Sequence, residues 1–497
     1  MDSDLSHNMK YVTRYLPVSL RMRMRIVRNW LPPPLNHTRP PVINIYTHRH
    51  PPSEKNMTNT PSQKKIQYDV KRAHSLADAG KFEDSARLCS QLLQAVDSPY
   101  IANLLGLNLL NMGKHEHAER VWETALEDDP DCVPVLTNLA NYLRERHRFK
   151  RASELIDHAL RCKPDDFRAN HNKAVLELNM GEVDVGLDYA ERAYAINPDE
   201  IAARHTLSIA SLGAGQFERG FDLYEARKPL FLRDDSPLPK YTGGKGKVIV
   251  RHEQGFGDTL MVMRLLPRLQ ELGADVYIVC PRPLQRLIEQ TGLCKLHEDG
   301  VDDYTHHLWT MDLMGLFVKE WSDWDDKPYI NASLENRAHW GSLLGGCEGG
   351  QKIGLCYGGA ARSDSIGAYQ IDRRRSLAPS EAMQIVRSKP DAHWVNLSRE
   401  WGLPDTIDFG TRVGDFADLA GLISNLDLVI TVDTAVAHLA GGLGVPTWML
   451  SRYDACFRWW PYQETTNLYR SVRCFYQPKM FDWQSVIADV QKKLNKM

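Results

Sequence analysis

Leu428-Val-Ile-Thr-Val-Asp-Thr-Ala-Val-Ala-His-Leu-Ala-Gly-Gly-Leu-Gly444 reads as a strand, a turn and a helix in direct succession. The β-branched run Leu428–Val432 suits a buried strand. Asp433 and Thr434 are residues that begin helices, and Gly444 followed by Pro446 stops one. A chain that turns sharply from a strand into a helix leaves backbone N–H groups and the positive helix end pointing outward, which favours an anion. A second stretch repeats the logic: Val248-Ile-Val250 leads into Glu253-Gln-Gly-Phe-Gly-Asp-Thr259 and then a helix-like segment. Two such turns suggest a two-lobed enzyme that handles phosphates. The apolar run from Leu428 to Leu450 does not read as a membrane span, because Asp433, His438, Pro446 and its glycines interrupt it.

The flanking sequence extends both units. Residues 247–280 predict strand, Gly-rich turn, helix and strand, with the strands at 247–251 and 275–280 and the helix at 258–272. A second series starts with a strand at Lys352-Ile-Gly-Leu-Cys-Tyr-Gly-Gly359. It continues through helix 379–388, strand 393–397, helix 415–424, strand 428–432, helix 434–443 and strand 446–450. Strands alternating with helices imply parallel sheets covered on both faces, with ligands at the carboxyl ends of the strands. A loose stretch at about 335–351 is expected between the two lobes.

Upstream the chain is periodic. Pro130, Pro164 and Pro198 stand 34 residues apart, as do Ala125, Ala159 and Ala193; Gly113, Gly181 and Gly215 fall on the same step. Small residues where helix backbones cross, glycine at the turn and proline at the helix end resemble the tetratricopeptide repeat. Five copies are expected across residues 66–228, stacked as an α-solenoid because one helix pair cannot bury its own apolar face. The inner-helix amides Asn103, Asn138, Asn141, Asn170 and Asn172 could clamp an extended peptide or simply face solvent. The array binds a partner or serves to rigidify the remainder; both readings stay open. Leu238-Pro-Lys-Tyr-Thr-Gly-Gly244 reads as a linker.

Composition narrows the class. The chain has 497 residues, 43% of them hydrophobic, and a net charge of −2, so nothing global favours nucleic acid or an anionic membrane. Nine cysteines without C-x-x-C spacing indicate neither a zinc site nor a disulfide framework and point to a reduced, cytoplasmic setting. Residues 1–62 differ, with Arg14, Arg21, Arg23, Arg25 and Arg28 in an acid-free run followed by Pro32-Pro-Pro34. A disordered basic tail, or a start upstream of a true initiator at Met57, suits this better than a transit peptide. Asp129-Pro-Asp131 has the form of a sugar-nucleotide motif but falls in a repeat turn, where both residue types are ordinary.

Glu253-Gln-Gly-Phe-Gly-Asp-Thr259, Asp372-Arg-Arg-Arg-Ser376, Asp427-Leu-Val-Ile-Thr-Val-Asp-Thr434 and His438-Leu-Ala440 occur in the order found in heptosyltransferase-like glycosyltransferases (glycosyltransferase family 9-like). The tail agrees through Arg458-Trp-Trp460, Tyr462 and Asp482-Trp483. The chain as a whole resembles proteins that fuse tetratricopeptide repeats to such a domain; O-GlcNAc transferase is a more distant relation in architecture. The resemblance implies a GT-B-like pair of Rossmann lobes, without an essential metal or cofactor, that uses a nucleotide diphosphate-sugar as substrate. It implies the general base at Asp258, with Glu253 as the alternative, and the Gly255 and Gly257 backbone forming the adjoining loop. It implies donor contacts from Asp433, Thr434, His438, Arg375, Arg373 and Tyr357, Arg375 being the preferred arginine. The bland alternatives are that Asp258 and Thr434 merely cap helices and that His438 is an interior histidine. Gly441, Gly442 and Gly444 are assigned packing and a helix stop only. Tyr357 and Ala360 depart from the pattern's usual Trp and Asn, which leaves the donor sugar open.

The expected organisation is therefore a basic tail (1–62), a repeat array (63–238), an acceptor-side lobe (239–345) and a donor-side lobe (346–497). The expected activity is transfer of a sugar to a hydroxyl on a protein or glycan, with inversion, the repeats helping a short first lobe to bind the acceptor. The alternative is an inactive repeat scaffold or adaptor.

Overall fold

The structure is a computed structural model and describes residues 61–232, 236–298, 300, 303–347, 349–359, 366–399 and 402–497. The basic tail and Ala360 lie outside the described residues. The chain divides into two units: residues 59–361 with 370–497, described below, and residues 1–58 with 362–369.

Five helix pairs open the described chain. They are α1 (Pro61–Asp78) with α2 (Phe82–Leu93), α3 (Pro99–Asn111) with α4 (His115–Asp128), and α5 (Val133–Glu145) with α6 (Phe149–Cys162). Then come α7 (Phe167–Asn179) with α8 (Val183–Ile196), and α9 (Ile201–Gly213) with α10 (Phe217–Leu223). The 34-residue small positions lie at the helix contacts: Ala118, Ala152, Ala125, Ala159 and Ala193 are buried. The turn within each pair passes through a left-handed residue, at Gly80, Gly113, His147, Gly181 and Gly215, with φ of 74°, 72°, 58°, 80° and 78°. His147 is the one member that takes this conformation against the steric preference of a side chain.

The α/β part follows a short helix, α11 (Arg227–Phe231). Its first sheet holds β1 (Gly246–Arg251), β2 (Ala274–Val279), β3 (Lys295–Leu296) and β4 (His306–Trp309), in the order β3-β2-β1-β4. Its second holds β5 (Lys352–Cys356), β6 (His393–Asn396), β7 (Ile407–Asp408), β8 (Leu428–Val432), β9 (Thr447–Ser451) and β10 (Val472–Tyr476), in the order β10-β9-β8-β5-β6-β7. Among the described residues the strands of both sheets pair in parallel. Strand β8 shows why a continuous apolar run is needed: Val429 joins one core while Leu428, Ile430 and Val432 join the core on the opposite face.

Five helices matter below: Phe256–Val262 after β1, Arg282–Thr291 after β2, Ile366–Arg375 after β5, Phe416–Ile423 before β8 and Ala435–Leu443 after it. One expectation needs correction. The stretch at 335–351 is not loose throughout, since Leu334–Leu343 is a helix started by Ser333, whose side chain accepts from Asn336 N–H. It packs where Gly421 leaves room, a Cβ there falling 2.9 Å from the Asn336 backbone. The arginines 373–375, which stand before the helix at Pro379, form the last turn of a helix of their own, Ile366–Arg375.

The repeats and the sheets share a core. Leu212, Phe217, Phe221 and Tyr224 of the last pair pack in one cluster with Val248, Val250 and Leu260 of the first sheet's layer and with Val429 and Leu439 of the second. The turns add a second seam. His147 packs edge-on against Phe481, Gly181 lies under Tyr453, and Gly215 lies under Trp460. These three turn positions are 34 residues apart, so the repeat period itself presents a row of turns to the α/β part. Among the described residues no helix is long and apolar enough to cross a membrane.

Candidate functional site

The two motif turns meet. A Cβ on Gly257 would lie 2.9 Å from His438 Cδ2 and 3.3 Å from Ala435 Cα, so the start of the helix Phe256–Val262 rests directly on the start of Ala435–Leu443. Glycine at 257 is required by that approach. Nearby, Arg286 makes a bidentate contact of 2.7 Å to both oxygens of Asp415, which caps the helix Phe416–Ile423. Tyr329 and Ile330 N–H both donate to Gly442 C=O. Gly441, Gly442 and Gly444 admit Tyr469, Ile330 and Pro328, each 2.4–2.6 Å from a built Cβ. They serve packing, and Gly444 ends its helix at φ +75°.

Asp258 is held on both oxygens. Its Oδ2 accepts from Gly255 N–H at 2.9 Å, closing the helix start, and its Oδ1 pairs with Arg458 at 2.5 Å. Arg458 also donates to Gln254 Oε1 at 3.0 Å and to Cys456 Sγ at 2.8 Å. Burial works against the Arg458 charge, yet the Asp258 carboxylate holds its pKa well above the ordinary arginine value. Gln254 has φ +62° and donates to Tyr224 Oη at 2.8 Å, so the loop is tied to the last repeat as well.

Glu253 does not face a cleft. It is 3% exposed and pairs with Arg227 through both oxygens, at 2.8 and 2.9 Å, while accepting from Met311 N–H. Arg227 also reaches Asp312 at 2.7 Å, and Lys228 reaches the same carboxylate at 3.1 Å. A carboxylate so engaged anchors the loop to α11, and the alternative-base reading has no geometric support.

On the second sheet, Thr434 caps its helix, accepting from Val436 N–H at 3.3 Å, and stands 3.2 Å from Thr431 Oγ1. Arg375 donates to Asp433 C=O at 3.2 Å and pairs with Asp372 at 2.7 Å. Gly359 completes this corner, since a Cβ there would sit 2.8 Å from Arg375 Nη2 and 3.5 Å from Thr434 Cγ2. Asp433, Thr434, Arg375 and the Gly359 backbone therefore converge at the carboxyl edge of β5 and β8. Arg373 is exposed beside them, and Tyr357 is 3% exposed with its ring in the sheet core. His438 is interior: its Nδ1 lies 3.0 Å from Tyr469 Oη and its ring stacks on Trp459 at 5.2 Å. Burial drives its pKa down to about 4, so it is neutral near pH 7.

Sequence assigned no contact to Arg458, Arg227 or Arg374. The first two lie far along the chain from their partners, and only their charge hinted at a role. The amides of the repeats are also engaged: Asn138 donates to Asn103 Oδ1 at 2.9 Å, Asn172 to Thr137 C=O at 3.2 Å, and Asn170 to Pro164 C=O and Asp166 C=O. The bonds of Asn138 and Asn172 tie neighbouring helices together, whereas Asn170 holds the start of its own helix. Asp131, His158 and Cys162 gather their ligand atoms within 4.8 Å on the repeat surface, away in sequence from both motif turns.

The tetratricopeptide repeat family matches residues 103–166 and 137–201. The chain thus carries tetratricopeptide repeats followed by an α/β region of parallel sheets. Over its length it is similar to Protein FlbA of Caulobacter vibrioides, at 26% identity over 79% of this chain and 72% of that one. Among solved structures, MamA from Desulfovibrio magneticus RS-1 is 17% identical with a TM-score of 0.29, covering 35% of this chain and 98% of that one. A thermophilic tetratricopeptide-repeat protein of Thermus thermophilus is 18% identical with a TM-score of 0.30, covering 34% and 93%.

Proposed function

We propose that the α/β region is a GT-B-like glycosyltransferase that moves a sugar from a nucleotide diphosphate donor to a hydroxyl on a protein or glycan. The supporting observation is the corner at the carboxyl edge of the second sheet, where Arg375 lies on Asp433 C=O beside Thr434 and the Gly359 backbone. The positive end of the helix Ala435–Leu443 and a guanidinium suit a diphosphate, and both stabilise it as it leaves. In the displacement, the acceptor oxygen bonds to the sugar's C1, the bond from C1 to the phosphate oxygen breaks with its electron pair, and the hydroxyl proton passes to a base. Asp258 takes that proton only when an acceptor displaces Arg458 or Gly255 N–H from one of its oxygens. The tetratricopeptide repeats point to a protein partner, which suits a protein acceptor.

The engagement of Asp258 on both oxygens favours a second reading, a repeat scaffold whose α/β region binds without catalysis. Incubation with a panel of sugar nucleotides separates the two. Donor hydrolysis or transfer that disappears in Asp433→Ala and Arg375→Ala supports the enzyme. UDP, GDP and ADP all failing to raise the melting temperature at millimolar concentration removes it.

A further inference from the structure

Arg374 and Arg452 flank one carboxylate. Arg374 Nη2 lies 3.1 Å from Asp454 Oδ2, and Arg452 Nε lies 3.6 Å from Asp454 Oδ1. The Arg374 and Asp454 side chains are 6% and 5% exposed and that of Arg452 13%. Two guanidinium groups against one carboxylate leave an excess positive charge under cover. Arg374 Nε and Nη1 and Arg452 Nη1 are buried without a hydrogen-bond acceptor, while Arg452 Nε and Asp454 Oδ1, both also unbonded, face each other at 3.6 Å. The neighbouring Gln477 adds another idle donor: its Oε1 accepts from Tyr453 N–H at 3.2 Å, while its Nε2 is buried without a partner. Tyr453, between the two charged residues, lies on the Gly181 turn. Arg144 of α5 also faces Arg374 but is itself paired with Glu145 at 3.5 Å, and burial keeps the Arg374 pKa below the ordinary arginine value against the pull of Asp454.

Buried charge in excess of its partner is unfavourable, and buried donors are normally satisfied. We infer that Arg374, Arg452 and Gln477 form a binding site for a phosphoryl group at the seam between the third and fourth repeats and the carboxyl edge of the second sheet. A phosphoryl group has the oxygens to take the idle donors and the charge to balance the excess guanidinium, whereas a carboxylate has too few oxygens. The group is either free phosphate or part of a larger phosphorylated ligand. The site does not depend on the donor reading, which uses Arg375 and the turn after β8.

Orthophosphate is titrated calorimetrically into the full chain in chloride buffer, with pyrophosphate and UDP in parallel. The expected result is saturable binding of orthophosphate and a rise in melting temperature of about 2 °C or more. Arg374→Gln and Arg452→Gln abolish both responses, and each raises the ligand-free melting temperature by leaving one guanidinium against one carboxylate. Arg375→Ala keeps the orthophosphate response. Where UDP binds saturably but orthophosphate and pyrophosphate do not, loss of that binding in Arg452→Gln assigns the ligand to a larger phosphorylated molecule, and its survival in Arg452→Gln overturns the site. Wild-type protein that binds no phosphate compound, binds malonate in preference, or keeps its response in both variants also overturns it, whether or not nucleotide binding at Arg375 is found.

Discussion

At the scale of single residues, the decisive contacts are charged pairs joining distant parts of the chain. Arg458 holds Asp258 and Gln254 at once, so Arg458→Ala leaves a carboxylate and a strained loop without their partner. Loss of one member of a fully buried pair costs about 3–5 kcal/mol; with 14% and 17% of these side chains exposed, chemical denaturation of Arg458→Ala should show a smaller loss, of about 1–3 kcal/mol. The double variant with Asp258→Ala should recover part of it, and an additive double variant would show that the pair contributes nothing. His438 gives a pH dependence. Its folded pKa of about 4 lies below the ordinary 6.5, so the unfolded chain takes up a proton first as pH falls. Stability on this account is full above about 6.5, declines between 6.5 and 4, and levels off below, a loss of up to about 3 kcal/mol. His205, also driven to about 4 by burial, adds the same slope. His438→Asn, which keeps an acceptor near Tyr469, should flatten the decline relative to wild type; an unchanged slope would show that His438 does not titrate this way.

At the scale of elements, the repeat turns do two jobs. Gly113 and Gly215 have nearly the same φ, but a Cβ on Gly113 meets nothing within 4 Å, whereas one on Gly215 meets the Trp460 ring at 2.6 Å. Alanine at either position pays the left-handed strain, of order 1 kcal/mol. Gly215→Ala should cost about 1–3 kcal/mol more than Gly113→Ala, because the ring must move out of a packed seam. Equal losses in urea unfolding would mean that the seam yields freely. The 34-residue step, the parallel strands and the two sharp strand-to-helix turns were legible in sequence, because each follows from local periodicity. The helix Ile366–Arg375 was not, because its residues carry no amphipathic pattern.

At the scale of the described unit, the last repeat and both sheet layers share one core, while the first repeats have their own, around Ala73, Cys89 and Leu104. Hydrogen exchange should therefore show α1 to α3 opening at lower free energy than α9, α10 and the strands, which open together. A fragment starting at residue 239 loses Phe217, Phe221 and Tyr224 from that core and should bind a hydrophobic dye; a fragment as cooperative as the whole chain would contradict the shared core.

The sequence alone determined the repeat array, the alternation of strand and helix, and the glycines that let backbones approach, because helix period, strand period and turn conformation are set by neighbours in the chain. It also marked Thr434 and Asp433, which sit where a strand ends. Tertiary structure alone decided that Asp258 is paired with Arg458, that Glu253 is an anchor, that His438 is interior and that Arg374 rather than Arg373 is buried. Charge pairing and burial depend on which distant side chains arrive at the same place, and no local pattern encodes that.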